Sequence, residues 1–206
     1  MPDIRVVERG PECLADYARI PIAFRVETIY RVEEAEGGHG MTLAEEPVAE
    51  PYVKDYDAVE NRGQRILEWP NRFDTTNWGF LLAKEGDVQV GGAIVLFDSP
   101  EIHMLNDRRD LGLLWDVRVK PEYRRRGVGT ALWQHAVDWA RMHGCTQFKV
   151  ETSNVNVPAC RFYRKMGCAL GGIDRFAYRG CPEVAHEVML LWYRELQRRG
   201  SDKETE

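Results

Sequence analysis

The sequence has no apolar run approaching the ~18 residues that a membrane-spanning helix needs. Its opening stretch, MPDIRVVERG, lacks the apolar core of a secretory leader. A cytoplasmic protein with no membrane partner is therefore the expectation. Cysteine is sparse and unpatterned. Cys13, Cys145, Cys160, Cys168 and Cys181 are odd in number and include no Cys-x-x-Cys pair. That argues against a disulfide framework and against a zinc site, so no metal is expected. An excess of positive charge is also missing. With 28 Lys and Arg against 33 Asp and Glu, the net charge is −5. Nucleic acid is then a poor partner, because neutralising phosphates needs a basic surface. Repeats and low-complexity blocks are absent as well.

What is present is ample apolar material. The 206 residues are 44% hydrophobic and include six Trp, eight Tyr and seven Phe. A chain of this length can bury about 70% of its unfolded surface, enough for one substantial core. The first half reads weakly. Ile22–Val32 alternates as a strand does, and Glu33–Glu46 reads as a loop or hairpin tip. Pro47–Tyr56 is extended in character, and Asn61–Trp69 predicts a short helix stopped by Pro70. The second half is clearer. Trp78–Lys84 and Val88–Phe97 predict a hairpin around Glu85-Gly86-Asp87. Leu111–Val119 is an apolar strand. From Gly127, the spacing of Val128, Ala131, Leu132, His135/Ala136, Trp139 and Met142/His143 predicts an amphipathic helix ending at His143-Gly144. Gln147–Thr152 predicts a strand, and Ala159, Phe162, Tyr163 and Met166 a helix closed by Gly167. Cys168–Tyr178 and Val184–Trp192 predict two more strands. This alternation implies a mixed α/β sheet in a single domain over residues 1–196, followed by a disordered polar tail at 197–206.

The chemistry concentrates at Arg124-Arg125-Arg126-Gly127-Val128-Gly129-Thr130, between a strand and a helix. A helix start offers unpaired N–H groups and the positive end of a dipole, which together attract anions. Gly127 and Gly129 allow close backbone approach, and arginine grips phosphate in bidentate fashion. A Walker loop is absent. The dinucleotide fingerprint fails at Leu132, which stands where a third glycine is required. Arg124-x-x-Gly127-x-Gly129, preceded by Val117-x-Val119-x-Pro121, resembles instead the pyrophosphate motif of the GCN5-related N-acetyltransferase superfamily.

That resemblance extends from Leu111 to Gly171 in its most specific part. It implies a mostly antiparallel central sheet of about seven strands, flanked by helices, with diverging central strands. It also implies acetyl-CoA as acyl donor. The backbone at Val117 and Val119 would bond the pantetheine and the thioester carbonyl, next to a bulge. The run from Arg124 to Thr130 would hold the pyrophosphate. Asn154 and Asn156 would contact the pantetheine or cap the following helix, with Ala159 also at the cofactor. Tyr163 matches the tyrosine that lies near the coenzyme A sulfur, where a phenol can protonate the departing thiolate; a core aromatic is the alternative. A base is needed as well. Asp116 is the first candidate and Glu151 the second, and either could instead hold a cationic substrate.

One branch is matched in more detail. Trp115-Asp116-Val117, Glu151-Thr152 with the Asn154–Tyr163 segment, Gly171-Gly172-Ile173-Asp174, Tyr178-Arg179-Gly180 and Glu50-Pro51-Tyr52-Val53-Lys54-Asp55-Tyr56 are similar to segments of the streptothricin acetyltransferases. The expected acceptor is then a primary amine of a small molecule, with a streptothricin-like amine the first guess. Departures are Trp115, in place of an acidic residue, and Arg118, a cation where a cationic acceptor is expected. A protein or N-terminal peptide acetyltransferase and a non-catalytic acyl-CoA-binding module stay open. Edge strands of this fold often pair between subunits, so a homodimer is the oligomer to test.

Overall fold

The computed structural model describes residues 3–58 and 65–196. In chain order the elements are β1 (Ile4–Arg9), α1 (Leu14–Tyr17), β2 (Phe24–Glu34), β3 (Met41–Lys54), α2 (Trp69–Arg72), β4 (Trp78–Glu85), β5 (Val88–Leu96) and β6 (Leu111–Val119). They continue with α3 (Val128–Met142), β7 (Gln147–Ser153), α4 (Val157–Lys165), β8 (Ala169–Asp174) and β9 (Met189–Glu195). Seven strands form one mostly antiparallel sheet in the order β1-β4-β5-β6-β7-β9-β8, and β2 pairs with β3 separately. The mixed α/β class implied by the sequence is the one observed. No helix among the described residues is long and apolar enough to cross a membrane. No described cysteine is in a disulfide.

The chain divides into two compact units. The first comprises Met1–Pro21, Gly63–Lys149 and Arg194–Glu206. Its strands pair antiparallel, β1 with β4, β4 with β5 and β5 with β6. Strand β5 is buried from Val90 to Leu96, and α3 packs on β4 and β5. Leu132, Ala136, Val137 and Ala140 of α3 are fully buried, and Trp133 meets Phe148 edge to face at 5.4 Å. Each large apolar side chain so buried stabilises the unit by about 1.5–3 kcal/mol. The helix begins at Val128 and ends before Gly144, whose φ of 80° makes the left-handed exit that glycine tolerates. Its buried stripe is rotated from the expected one. Trp133, Val137 and Ala140 face the core, whereas Met142 is 71% exposed and His135 is exposed.

Pro70 does not stop a helix; it stands in the first turn of α2, where its missing N–H has no partner to lose. A 3₁₀ turn at Ile66–Glu68 leads into α2. The rest of the helix expected at Asn61–Trp69 includes residues 61–64, outside the described residues. The tail expected at 197–206 also lies outside them.

The second unit comprises Ile22–Arg62 and Val150–Tyr193. Its long β2–β3 hairpin starts earlier on the return arm than expected, because the tip closes in a 3₁₀ turn at Glu36–Gly38. Pro47 and Pro51 fall where the ladder is broken: Val26 pairs with Tyr52, and Thr28 with Pro47. Residues that cannot donate an N–H are tolerated there. The two strands expected at Cys168–Tyr178 and Val184–Trp192 are shorter. Residues 175–188 form a loop of successive turns, such as Cys181 N–H to Tyr178 O and Glu187 N–H to Val184 O. Side chains of this loop turn inward to β3 and β7, which a continued strand could not allow.

Candidate active site

In the first unit the expected bulge is present on β6. Asp116 pairs with Ile94 and Leu114 with Val95, leaving Trp115 without an opposite residue. The extra residue sends Trp115 into an aromatic group with Trp69, Phe73 and Trp78, at centroid distances of 6.2, 6.2 and 5.8 Å. Beyond the bulge, Val117 and Val119 pair with Ala93 and Gly91, and both side chains are half-buried.

Asp116 is heavily committed. The Arg118 guanidinium donates to both of its oxygens, from Nε at 2.9 Å and from Nη2 at 3.3 Å. The Tyr17 hydroxyl donates to Oδ1 as well. Arg118 also donates to the Ile20 carbonyl at 3.1 Å, and its side chain is 3% exposed. Gly92 makes the approach of Tyr17 feasible: a Cβ there would stand 2.7 Å from the Tyr17 ring. Burial, then the charge of Asp116, drives the Tyr17 phenol well above its ordinary range, so it stays a donor. The positive charge of Arg118 is thus neutralised inside the unit.

The turn before α3 is built by backbone conformation. Arg125 has φ 61° and Gly127 φ 91°. A Cβ on Gly127 would meet nothing within 4 Å, so the glycine answers a need for the left-handed region and not for space. No side chain caps α3. No N-cap side chain therefore takes up the N–H groups of its first turn, as an anion site requires. Arg124 turns back to the carbonyls of Val119 (3.1 Å) and Pro21 (3.4 Å). Arg126 pairs with Glu85 at 2.9 Å over the Tyr123 ring. Gly127, Val128, Gly129 and Thr130 thus fit a pyrophosphate chiefly through main chain and dipole.

In the second unit Glu151 of β7 accepts a hydrogen bond from Tyr178 on the β8–β9 loop. Nearby, Lys54 pairs with Glu187; both side chains are buried, at 7% and 3% exposure. Lys54 also lies 5.3 Å from the Tyr56 ring centre, and Tyr56 hydrogen-bonds Ser153 at 3.3 Å. Burial raises the Glu151 carboxyl above its ordinary range; Tyr178 and Lys54 oppose that rise and Glu187 adds to it. Asn154 spends its side chain on main chain, donating to Tyr30 O and accepting from Val188 N–H, both at 2.8 Å. Asn156 is the N-cap of α4, accepting from Ala159 N–H at 3.2 Å. Of the two capping assignments the sequence left open, Asn156 alone makes one. Tyr163 lies on the buried face of α4, 4% exposed, with Phe162 edge to face at 5.4 Å.

The match to known proteins agrees with this anatomy. The model of the acetyltransferase (GNAT) family matches residues 43–168. The chain belongs to the acetyltransferase (GNAT) family. This acetyltransferase is 31% identical over 170 residues to a streptothricin acetyltransferase of Streptomyces lavendulae, covering 82% of this chain and 83% of that protein. It is 37% identical to streptothricin acetyltransferase A of Bacillus subtilis (strain 168) over 81 residues, 39% of this chain, and that match spans about half, 46%, of the relative. The crystal structure of a nourseothricin acetyltransferase superposes with a TM-score of 0.73 at 27% identity, covering 94% of this chain and 99% of that one.

Several residues around the acetyltransferase's two carboxylates were not singled out by the sequence. Tyr17, Lys54, Tyr56, Tyr178 and Glu187 each partner a group more than ninety positions away or across a loop; Tyr17 to Asp116 spans 99 positions and Lys54 to Glu187 spans 133. Local periodicity carries no sign of such pairs. The available signal was the branch-like Glu50–Tyr56 and Tyr178–Gly180 segments, which carried no assigned role.

Proposed function

We propose that this N-acetyltransferase moves the acetyl group of acetyl-CoA directly to a primary amine of a small molecule, a streptothricin-like amine, within a ternary complex. The observation that carries the amine is a charge imbalance. Lys54 acts on both Glu151 and Glu187 by its charge, and it is paired with Glu187. Glu151 is left with a negative charge that no cation offsets by direct contact among the described residues. An alkylammonium supplies the missing charge. The likeness to the Streptomyces lavendulae protein supports the acceptor class.

Bound acetyl-CoA supplies an activated acyl group. In this reading the main chain from Arg124 to Thr130 binds the pyrophosphate, and the main chain at Val117 and Val119 orients the thioester. Asn154, Asn156 and Ala159 contribute by shaping the segment that follows β7, since both asparagine side chains are already engaged within the chain. Glu151 accepts a proton from the ammonium, giving the neutral amine that can attack. Asp116 is ranked behind it, because Arg118 occupies both its oxygens. Tyr163 gives its hydroxyl proton to the departing thiolate.

Thiol release from acetyl-CoA against a panel holding streptothricin, lysine derivatives and N-terminal peptides tests the proposal. Release with streptothricin or the lysine derivatives is expected. Release with peptides alone makes the chain a peptide acetyltransferase, and coenzyme binding without release for any amine makes it an acyl-CoA-binding module.

A further inference from the structure

We infer that Tyr178, on the loop between β8 and β9, is the positioning residue for Glu151, orienting the carboxylate through its hydroxyl so that the second oxygen faces the acceptor. The inference rests on the reading of Glu151 as proton acceptor given above.

The geometry is asymmetric in a useful way. Tyr178 donates to Oε1, and among the described residues no other side chain or backbone group hydrogen-bonds the Glu151 carboxylate. Oε2 is left for the ammonium. The loop that brings Tyr178 is itself secured. Cys181 N–H bonds the Tyr178 carbonyl at 2.9 Å, Glu187 reaches Lys54, and Val188 N–H donates to Asn154 at 2.8 Å. Phe176 N–H donates to Asp174 at the loop's start, at 2.8 Å. The phenol is thus delivered by a pinned segment and not by a wandering side chain.

The charged and titratable neighbours decide what the hydrogen bond does. Facing Glu151 are Tyr178 and Glu187 from the β8–β9 loop, Lys54 at the end of β3 and Tyr56 just after it, and Cys160 from α4. Burial and the like charge of Glu187 favour the protonated acid, while Lys54 is drawn to Glu187. Tyr178 is held far above the ordinary phenol range by burial and by Glu151 itself, so it remains a donor throughout neutral pH. A permanent donor favours the ionised carboxylate, the form that can take a proton. When the ammonium N–H proton moves to Oε2, the amine keeps the electron pair it needs for attack. Tyr178 keeps its own proton and holds Oε1 throughout. It therefore acts through Glu151 and does not touch the reacting atoms.

The experiment compares pH profiles of kcat/KM for wild type, Tyr178→Phe and Glu151→Gln, with the fastest amine of the streptothricin and lysine-derivative panel and thiol release as the signal. Removing the hydroxyl lets the Glu151 carboxyl rise. The acid limb of Tyr178→Phe is expected to move alkaline by about one pH unit or more, since charge-assisted hydrogen bonds are worth at least that much. Near neutral pH the rate should fall about tenfold and recover in alkaline buffer. A merely structural loss gives no such recovery, and melting temperatures of the two proteins check it independently. If Tyr178→Phe keeps the wild-type limb while Glu151→Gln is inactive, Tyr178 is not the positioning residue, although Glu151 still is the acceptor of the proton. If Glu151→Gln keeps the wild-type rate and limb, the reading of Glu151 itself falls, and the inference with it.

Discussion

Asp116 in the first unit and Glu151 in the second each receive a tyrosine hydroxyl, from Tyr17 and Tyr178. Their other neighbours differ. Asp116 faces a buried arginine whose planar fork fills both oxygens, so that cluster is internally neutral. Glu151 faces a lysine already held by a second carboxylate, so its cluster keeps a net negative charge. The first arrangement fixes β6 to α1 and to the Ile20 carbonyl. The second, in the proposed function, leaves the other Glu151 oxygen to take a proton. The sequence put Asp116 ahead of Glu151, and the two are separated by what the fold sets beside them.

The comparison breaks most sharply at Glu151. Glu151→Gln should lower turnover by about 10²–10⁴-fold, the usual contribution of a general base. Stability should hold or rise. The folded carboxyl titrates above its unfolded value, so its stabilising contribution is complete below the unfolded pKa and is lost as pH rises through the folded one. As pH rises through the folded pKa the ionised group becomes a cost, which glutamine removes. Thermal melting alongside the thiol assay measures both effects.

Arg118→Met tests the opposite cluster. It leaves the Asp116 charge buried without its partner, and a loss of about 3–5 kcal/mol in denaturant unfolding is expected. Activity per folded molecule should change far less than in Glu151→Gln. A drop in turnover with unaltered stability would move Asp116 into the chemistry.

Gly127→Ala probes the anion turn, which belongs to neither carboxylate. Forcing a Cβ into φ 91° costs about 1–2 kcal/mol. Acetyl-CoA KM should rise several-fold while the acceptor KM and the acid limb stay put. The smallest effect is expected from Asp110→Asn. Hydrogen bonds from Arg108 and Thr146, with the Arg108 charge, hold that carboxyl down at about 2 from an ordinary 3.8. Its contribution is present above the unfolded pKa and is lost as pH falls through the folded one. Acid unfolding between about pH 4 and pH 2 should become slightly shallower, with activity at neutral pH unaffected.

Much of the fold was legible. Leu111–Val119, the Gly127 turn, the helix after it and the Asn156-capped α4 follow local rules of alternation, helical period and capping. What was hidden depends on partners far along the chain. The α3 stripe rotates with Trp133 packed on Phe148 and Val137 buried, and hydrophobic spacing alone does not choose between adjacent faces. Arg118 read as an obstacle to a cationic acceptor, since its neutralisation by Asp116 is visible only once the bulge at Trp115 is known. Residues 175–178 and 184–188 read as parts of two strands, while the anchor of the loop they form, Tyr178 on Glu151, lies outside any local pattern.

The most direct test of the account is a paired measurement of turnover and melting temperature for Glu151→Gln and Asp116→Asn at neutral pH, with acetyl-CoA saturating and the best amine of the panel. The account predicts that Glu151→Gln melts at or above the wild-type temperature and loses turnover at least about a hundredfold, while Asp116→Asn melts lower and keeps most of its turnover per folded molecule. The reverse pattern, a stable but inactive Asp116→Asn beside an active Glu151→Gln, would contradict it.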